Sequence, residues 1–299
     1  MSANSFETAA IIGMGLMGGS LAAAFKKHEV IDKIIGYDID PETIKKAGDL
    51  GFIDEQFLGR ETDYKNLETA DIIIIAVPVK KIPEILSEIK QKAASNSVVI
   101  DVGSCKSFIM NRAAEILSTP PKINFIGGHP LCGSEKSGIE NYNPDMFKKQ
   151  NIILTPLKNL CGNDFDQQKL VNFFKCIGMS VKIMEPDEHD KRMAYISHLP
   201  QVGASSLASV LSQKEDLAQL LQLASSGFSD TTRLAASDAE MWSDIALTNK
   251  EFILQAVEEL EKILQDFRDN LENDDRERIV HFFQEARHIR KEFTVRKGD

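Results

Sequence analysis

Gly13, Gly15 and Gly18 stand in the stretch IIGMGLMGGSLAAAF, directly after a short apolar run and at the start of a helix-forming segment. That placement gives the spacing G-x-G-x-x-G its meaning. Gly13 permits a tight turn, Gly15 lets the backbone come close to a pyrophosphate, and Gly18 lets helix and strand pack closely. The N-terminus of the following helix adds oriented N–H groups for an anion. A strand, a glycine loop and a helix in this order commit the chain to a parallel βαβ start. The loop of Gly13, Met14, Gly15, Leu16, Met17 and Gly18 is the expected seat of a dinucleotide.

The chain beyond the loop repeats the alternation. Runs at 9–12, 33–37, 72–76, 98–102, 124–126 and 151–154 are nearly continuous in apolar residues, as strands buried on both faces must be. Helix-like segments separate them, which predicts a parallel sheet with right-handed crossovers. Composition then changes, since 15 of the 18 glycines precede residue 179 and no proline follows Pro200. Helices are expected at 187–213, 217–225, 245–267 and 275–297. The third carries Phe252, Ile253, Ala256, Val257, Leu260, Ile263 and Phe267 in one stripe. The expected fold is an α/β, doubly wound Rossmann domain over residues 1–160, followed by an all-α domain over 161–299 for substrate and dimer contacts. The division is set where turn-forming residues cluster at 156–164. Apolar stripes in so short a helical segment predict a homodimer.

Charge narrows the partners. With 45 acidic against 35 basic residues and a net charge of −10, the chain lacks the clustered cations of a nucleic-acid binder, and no such partner is expected. No stretch approaches the roughly 18 uninterrupted apolar residues of a membrane helix. The opening MSANSFETAA lacks the segments of a signal peptide, so no membrane partner and a cytoplasmic location are expected. Cys105, Cys132, Cys161 and Cys176 are widely spaced and form no C-x-x-C pair, which predicts reduced thiols and no metal site.

Asp38 closes the second strand twenty residues after Gly18, where a carboxylate can accept ribose hydroxyls and would repel a 2′-phosphate. NAD is therefore the expected cofactor. Capping of the helix that begins at Pro41 is the competing role, and Asp40 stands closer to it. In AVPVKKIPE, Val77 and Pro78 border the same sheet edge and are candidate cofactor contacts. VIDVGSCKS puts Ser104, and FIGGHPLCGSEKSG puts His129, at the C-terminal ends of strands, the edge where open α/β sheets bind ligands. A hydride-transfer enzyme needs a base for the alcohol proton, and a neutral imidazole suits it. Ser134 and Glu135 lie in a glycine-flanked loop that could wrap an acidic substrate or simply face solvent.

Together GMGLMGGS, Asp38, VGSCKS, GGHPLCGSEKSGIE, SHLPQ and SGFSDTTRLAASDAEMW resemble the prephenate and arogenate dehydrogenases over nearly the whole chain. The resemblance implies oxidative decarboxylation of a cyclohexadienyl acid in tyrosine synthesis, with His129 as the catalytic histidine and Ser104 orienting the substrate hydroxyl and the histidine. It also implies Arg233 as the arginine for a substrate carboxylate, a role that suits a bidentate guanidinium. His198 matches the SHLP histidine. Gln201 stands where many relatives carry a second histidine, and it can donate a hydrogen bond but cannot become cationic. From sequence alone, a surface Arg233 paired with Asp230 and a His198 packed in a helix face stay open.

Within the family, prephenate is the expected substrate. Arogenate, whose ammonium an acid such as Glu140 could meet, is the alternative, although Glu135, Glu140 and Asp190 could equally form ion pairs. A non-catalytic NAD-sensing regulator is the more distant alternative. Any inhibition by tyrosine is expected to be competitive, since few residues lie beyond the two expected domains.

Overall fold

In the computed structural model, which describes residues 6–297 apart from 122, 135, 158–159 and 162–164, eight strands form one sheet in the order β3-β2-β1-β4-β5-β6-β7-β8. They are β1 (Thr8–Ile12), β2 (Lys33–Tyr37), β3 (Glu55–Phe57), β4 (Ile72–Ile75), β5 (Val98–Asp101), β6 (Asn124–Pro130), β7 (Asn151–Pro156) and β8 (Ser180–Ile183). The sequence of β4, four consecutive isoleucines, explains the layering. Ile72 and Ile74 join the cluster that includes Leu21 and Phe25 of α1 (Leu16–Lys27), Ile44 of α2 (Pro41–Asp49) and Phe173 of α5 (Gln167–Cys176). Ile73 and Ile75 point the other way, into the cluster with Leu86 of α3 (Ile82–Ile89) and Met110 of α4 (Ser107–Ile116). All four are fully buried, each worth roughly 2 kcal/mol of transfer free energy.

The sheet departs from the expected all-parallel form at one point. β7 runs antiparallel to β6, with His129 opposite Ile153, because the connection between them contains no crossover helix. The edge strands β3 and β8 went unread because they are short and partly exposed, without a continuous apolar run. Since α5 returns the chain to lay β8 parallel on β7, the sheet extends past the turn-rich 156–164 stretch to Ile183, further than the expected division at 160.

The helical part begins with α6 (Pro186–Met193), a π-helical turn (Ala194–His198) and α7 (Leu199–Ser212), where one helix over 187–213 was expected. Pro200 has no N–H to give the carbonyl of Ile196, so the regular ladder cannot run through, and the wider turn carries His198 inward. After α8 (Leu217–Leu223) come α9 (Ser226–Thr232), a 3-10 turn (Arg233–Ala236) and α10 (Ala239–Thr248). The helix expected over 245–267 breaks at Asn249, whose side chain is buried and hydrogen-bonded, and α11 (Lys250–Glu272) starts afresh. α10 meets the 3-10 turn after β4, where Lys80 pairs with Asp244 at 2.8 Å.

Residues 1–250 make one compact unit and 251–299 a second. In the second, Phe267 of α11 packs on Phe282 and Phe283 of α12 (Arg276–Lys297), with ring centroids 4.9 and 6.0 Å away. Leu264, Leu271, Phe283 and Ile289 remain exposed. Among the described residues, no helix is long and apolar enough to cross a membrane.

Candidate active site

The glycine loop follows β1 with Gly13 at φ +94°, its N–H donated to the carbonyl of Tyr37. A Cβ on Gly18 would stand 1.8 Å from the Gly13 oxygen, whereas one on Gly15 would meet nothing within 4 Å. Gly15 is the N-cap of α1 and brings no side-chain cap, and the first turn holds no acidic residue. The leading N–H groups of Leu16, Met17 and Gly18 are thus oriented toward an open side, as an anion site requires. Asp38 accepts from the amides of Met14 (2.7 Å) and Asp40 (3.0 Å), while Asp40 caps α2 through Glu42 and Thr43. Asp38 therefore belongs to the loop and not to the helix cap. The Met14 side chain is buried, Val77 packs beside Gly13, and Pro78 is exposed. These residues fit a dinucleotide.

His129 lies near the C-terminal end of β6, half-buried, with Nδ1 at 2.8 Å from Nε2 of His189. His189 in turn places Nδ1 at 2.7 Å from Asp190 Oδ1. The Asp190 carboxylate also accepts the backbone N–H groups of Lys106 (2.7 Å) and Ser107 (2.8 Å), at the start of α4. This fastens the VGSCKS loop, and with it Ser104, to α6. Lys106 is fully buried, pairs with Asp101 and donates to the carbonyl of Gly128 at 2.6 Å, which fixes the backbone just before His129. Ser104 is half-buried and its hydroxyl makes no hydrogen bond among the described residues, including to His129.

Asn249 joins the helical part to this line. Its Nδ2 lies 2.9 Å from the carbonyl of Asp190 and 3.0 Å from Nδ1 of His198, so one hydrogen goes to each. His198 is thereby left with its own proton on Nε2. The His198 ring is buried and meets Trp242 edge to face, 5.9 Å between centroids. Gln201, also buried, donates to the carbonyl of Leu234 at 2.9 Å and so anchors the turn that carries Arg233, which is exposed. Ser134 is exposed and accepts from the Lys136 amide, and Glu135 lies outside the described residues. Glu140 faces Lys46 at 3.9 Å.

Burial, reinforced by His189, Lys106 and His198, holds the pKa of His129 well below the ordinary imidazole range. Burial likewise lowers His189, and it lowers His198 to about 4. For Asp190, burial works upward, but the hydrogen bonds from His189 and the two amides outweigh it and keep the carboxyl below its usual value. Near neutral pH the line of hydrogen-bonded groups therefore holds three uncharged imidazoles and the Asp190 carboxylate. Burial pushes the thiols of Cys105 and Cys132 up to about 12, which removes both as nucleophiles.

His189, Asn249, Lys106 and Asp101 were not singled out in the sequence. A His–Asp pair in the charged run PDEHDKR reads as a solvated helix face, and only the antiparallel return of β7 and the packing of α6 bury it. An Asn in the middle of an apolar-periodic stretch was the available signal for Asn249.

Comparison with known proteins accords with this geometry. The family described as "Prephenate dehydrogenase, nucleotide-binding domain" matches residues 21–183, and "Prephenate dehydrogenase, dimerization domain" matches 185–285. The prephenate dehydrogenase of Bacillus subtilis is 34% identical over 97% of this chain and 77% of its own length. That of Lactococcus lactis is 34% identical over 96% of this chain and 78% of its own length. A crystal structure of prephenate dehydrogenase from A. aeolicus, in complex with hydroxyphenyl propionate and NAD+, superposes with a TM-score of 0.86 at 33% identity, covering 96% of this chain and 98% of that one.

Proposed function

Because the chain belongs to the prephenate dehydrogenase family, we propose that it catalyses the NAD-dependent oxidative decarboxylation of prephenate to 4-hydroxyphenylpyruvate in tyrosine synthesis. One observation carries the reading: His129, neutral and with Nδ1 engaged by His189, keeps Nε2 as a free base at the sheet edge that also bears the glycine loop.

The Gly13–Gly18 loop and the start of α1 hold the pyrophosphate, Asp38 the adenosine ribose, and Val77 and Pro78 the border of the cofactor cleft. NAD bound there would supply the hydride acceptor. His129 Nε2 takes the proton of the ring hydroxyl as the C–H pair of electrons leaves the same carbon, and Ser104 holds that hydroxyl in line. Departure of the ring carboxylate as CO2 leaves its bonding electrons to complete the aromatic ring, and the phenolate oxygen takes back its proton from His129. Arg233 clamps a substrate carboxylate, with Ser134 as a further polar contact. His198 presents an Nε2–H donor to the substrate, and Gln201 holds the Arg233 turn in place. Arogenate would call for an acid beside its ammonium, and Glu140 is turned to Lys46 instead. A cofactor sensor without chemistry would need no free base at this edge.

We also read the enzyme as a cytoplasmic homodimer. Four free cysteines suit a reducing compartment, and the helical part, matched by a family described as a dimerization domain, carries exposed apolar side chains. Product analysis tests the reaction: prephenate and NAD should give NADH, CO2 and 4-hydroxyphenylpyruvate in equal amounts. NADH formed without CO2 would overturn the assignment.

A further inference from the structure

The role of His129 as proton acceptor leaves unexplained what keeps its lone pair on the correct nitrogen. A neutral imidazole carries one proton, and in water the side chain favours Nε2, the position that must be empty for a base acting through Nε2. The surroundings of His129 determine the answer link by link. Asp190 is a carboxylate whose two oxygens accept from the Lys106 and Ser107 amides, so it has no proton to give. His189 Nδ1, 2.7 Å from Oδ1, must therefore be the donor of that contact. A neutral His189 with its proton on Nδ1 has a lone pair on Nε2. His129 Nδ1, 2.8 Å away, must then donate to it. The proton of His129 is thus held on Nδ1, and Nε2 on the far side of the ring is left to accept.

We propose that His189, oriented by Asp190, is a positioning residue for the reaction, imposing on His129 the tautomer that can act as base. The inference rests on the reading of His129 as that base. The pair does more than hold a ring. Once His129 Nε2 has taken the substrate proton, Nδ1–H becomes a stronger donor to His189. His189 passes the polarisation to the Asp190 carboxylate through its own N–H, and no proton has to leave the line. The other charged and titratable groups packed around the pair are Lys106 with Asp101 and, from the π-helical turn, His198. Lys106 is occupied by Asp101 and the Gly128 carbonyl, and His198 by Asn249, so neither competes for the facing nitrogens of His129 and His189.

Two polar substitutions separate the links. The amide of Asn stands where an imidazole has Nδ1, so His189→Asn keeps the contact with Asp190 and loses the reach to His129. A Gln amide stands where an imidazole has Nε2, so His189→Gln keeps an acceptor for the His129 N–H. Nitrogen-15 correlation spectra of histidine-labelled protein at pH 8 read the tautomer directly, with His129→Asn supplying the assignment. His129 should carry its proton on Nδ1 in the wild type and in His189→Gln, and on Nε2 in His189→Asn. kcat should fall about a hundredfold in His189→Asn and less than tenfold in His189→Gln, with KM and NAD affinity within threefold of wild type. A wild-type His129 protonated on Nε2, or the same tautomer in all three proteins, would overturn the inference. A tautomer that switches as expected while kcat stays at the wild-type level would instead overturn the assignment of His129 as base.

Discussion

Asp38 accepts the amide hydrogen of Met14 at 2.7 Å, across 24 positions of chain, so the carboxylate at the end of β2 is built into the glycine loop. In the proposed cofactor site its lone pairs not used by Met14 and Asp40 would serve a ribose, and its charge would oppose a phosphate there. Asp38→Ala should weaken NAD by roughly ten- to a hundredfold, the ~1.5–3 kcal/mol of a charge-assisted hydrogen bond, and should narrow the gap between NAD and NADP. Titration of bound NADH and NADPH fluorescence checks this. Unchanged preference would remove Asp38 from cofactor selection.

The glycines separate packing from binding. Gly18→Ala drives a methyl to 1.8 Å from a backbone oxygen, and the helix must shift, so stability should drop by about 1–3 kcal/mol together with NAD affinity. Gly15→Ala has open space around it and should melt like the wild type while binding NAD poorly. Differential scanning calorimetry with and without NAD reads both. Equal melting of the two variants would contradict the account.

Much of this was legible in sequence. The glycine loop, the isoleucine-rich strands and the helical second part follow from local pattern, because strands buried on both faces advertise themselves. His129 and Ser104 were named because open sheets bind ligands at strand ends, and the structure puts them near the ends of β6 and β5. The line from His129 to Asp190 was not legible, since its His129–His189 link joins residues 60 positions apart through an antiparallel return that periodicity does not encode. The π-helical turn at His198 follows from Pro200 in the sequence, whereas the break at Asn249 was hidden, because its buried polar contacts outside the helix outweigh an unbroken apolar stripe.

His129→Asn removes the acceptor and keeps a polar side chain of similar reach. Turnover should fall about a thousandfold while NAD binding and the melting temperature hold, as measured by steady-state kinetics and calorimetry. Normal turnover would require another base.

Acid should destabilise the fold through its histidines. His198 has a folded-state pKa of about 4 against an ordinary 6.5, so as pH falls below 6.5 the unfolded chain takes up the proton first. Stability present above pH 6.5 is lost progressively down to pH 4, on the order of 3 kcal/mol from this one group. His129 and His189, lowered in the same direction, add to the loss. Urea unfolding at pH 7.5 and pH 5 should show a lower midpoint at pH 5. An equal midpoint would mean that these imidazoles gain charge without cost.

The central claim is tested most directly by initial rates of NADH formation with prephenate and arogenate side by side. The account predicts rapid NADH formation from prephenate, with kcat/KM at least tenfold above that for arogenate. A preference for arogenate, or no NADH from either acid, would contradict it.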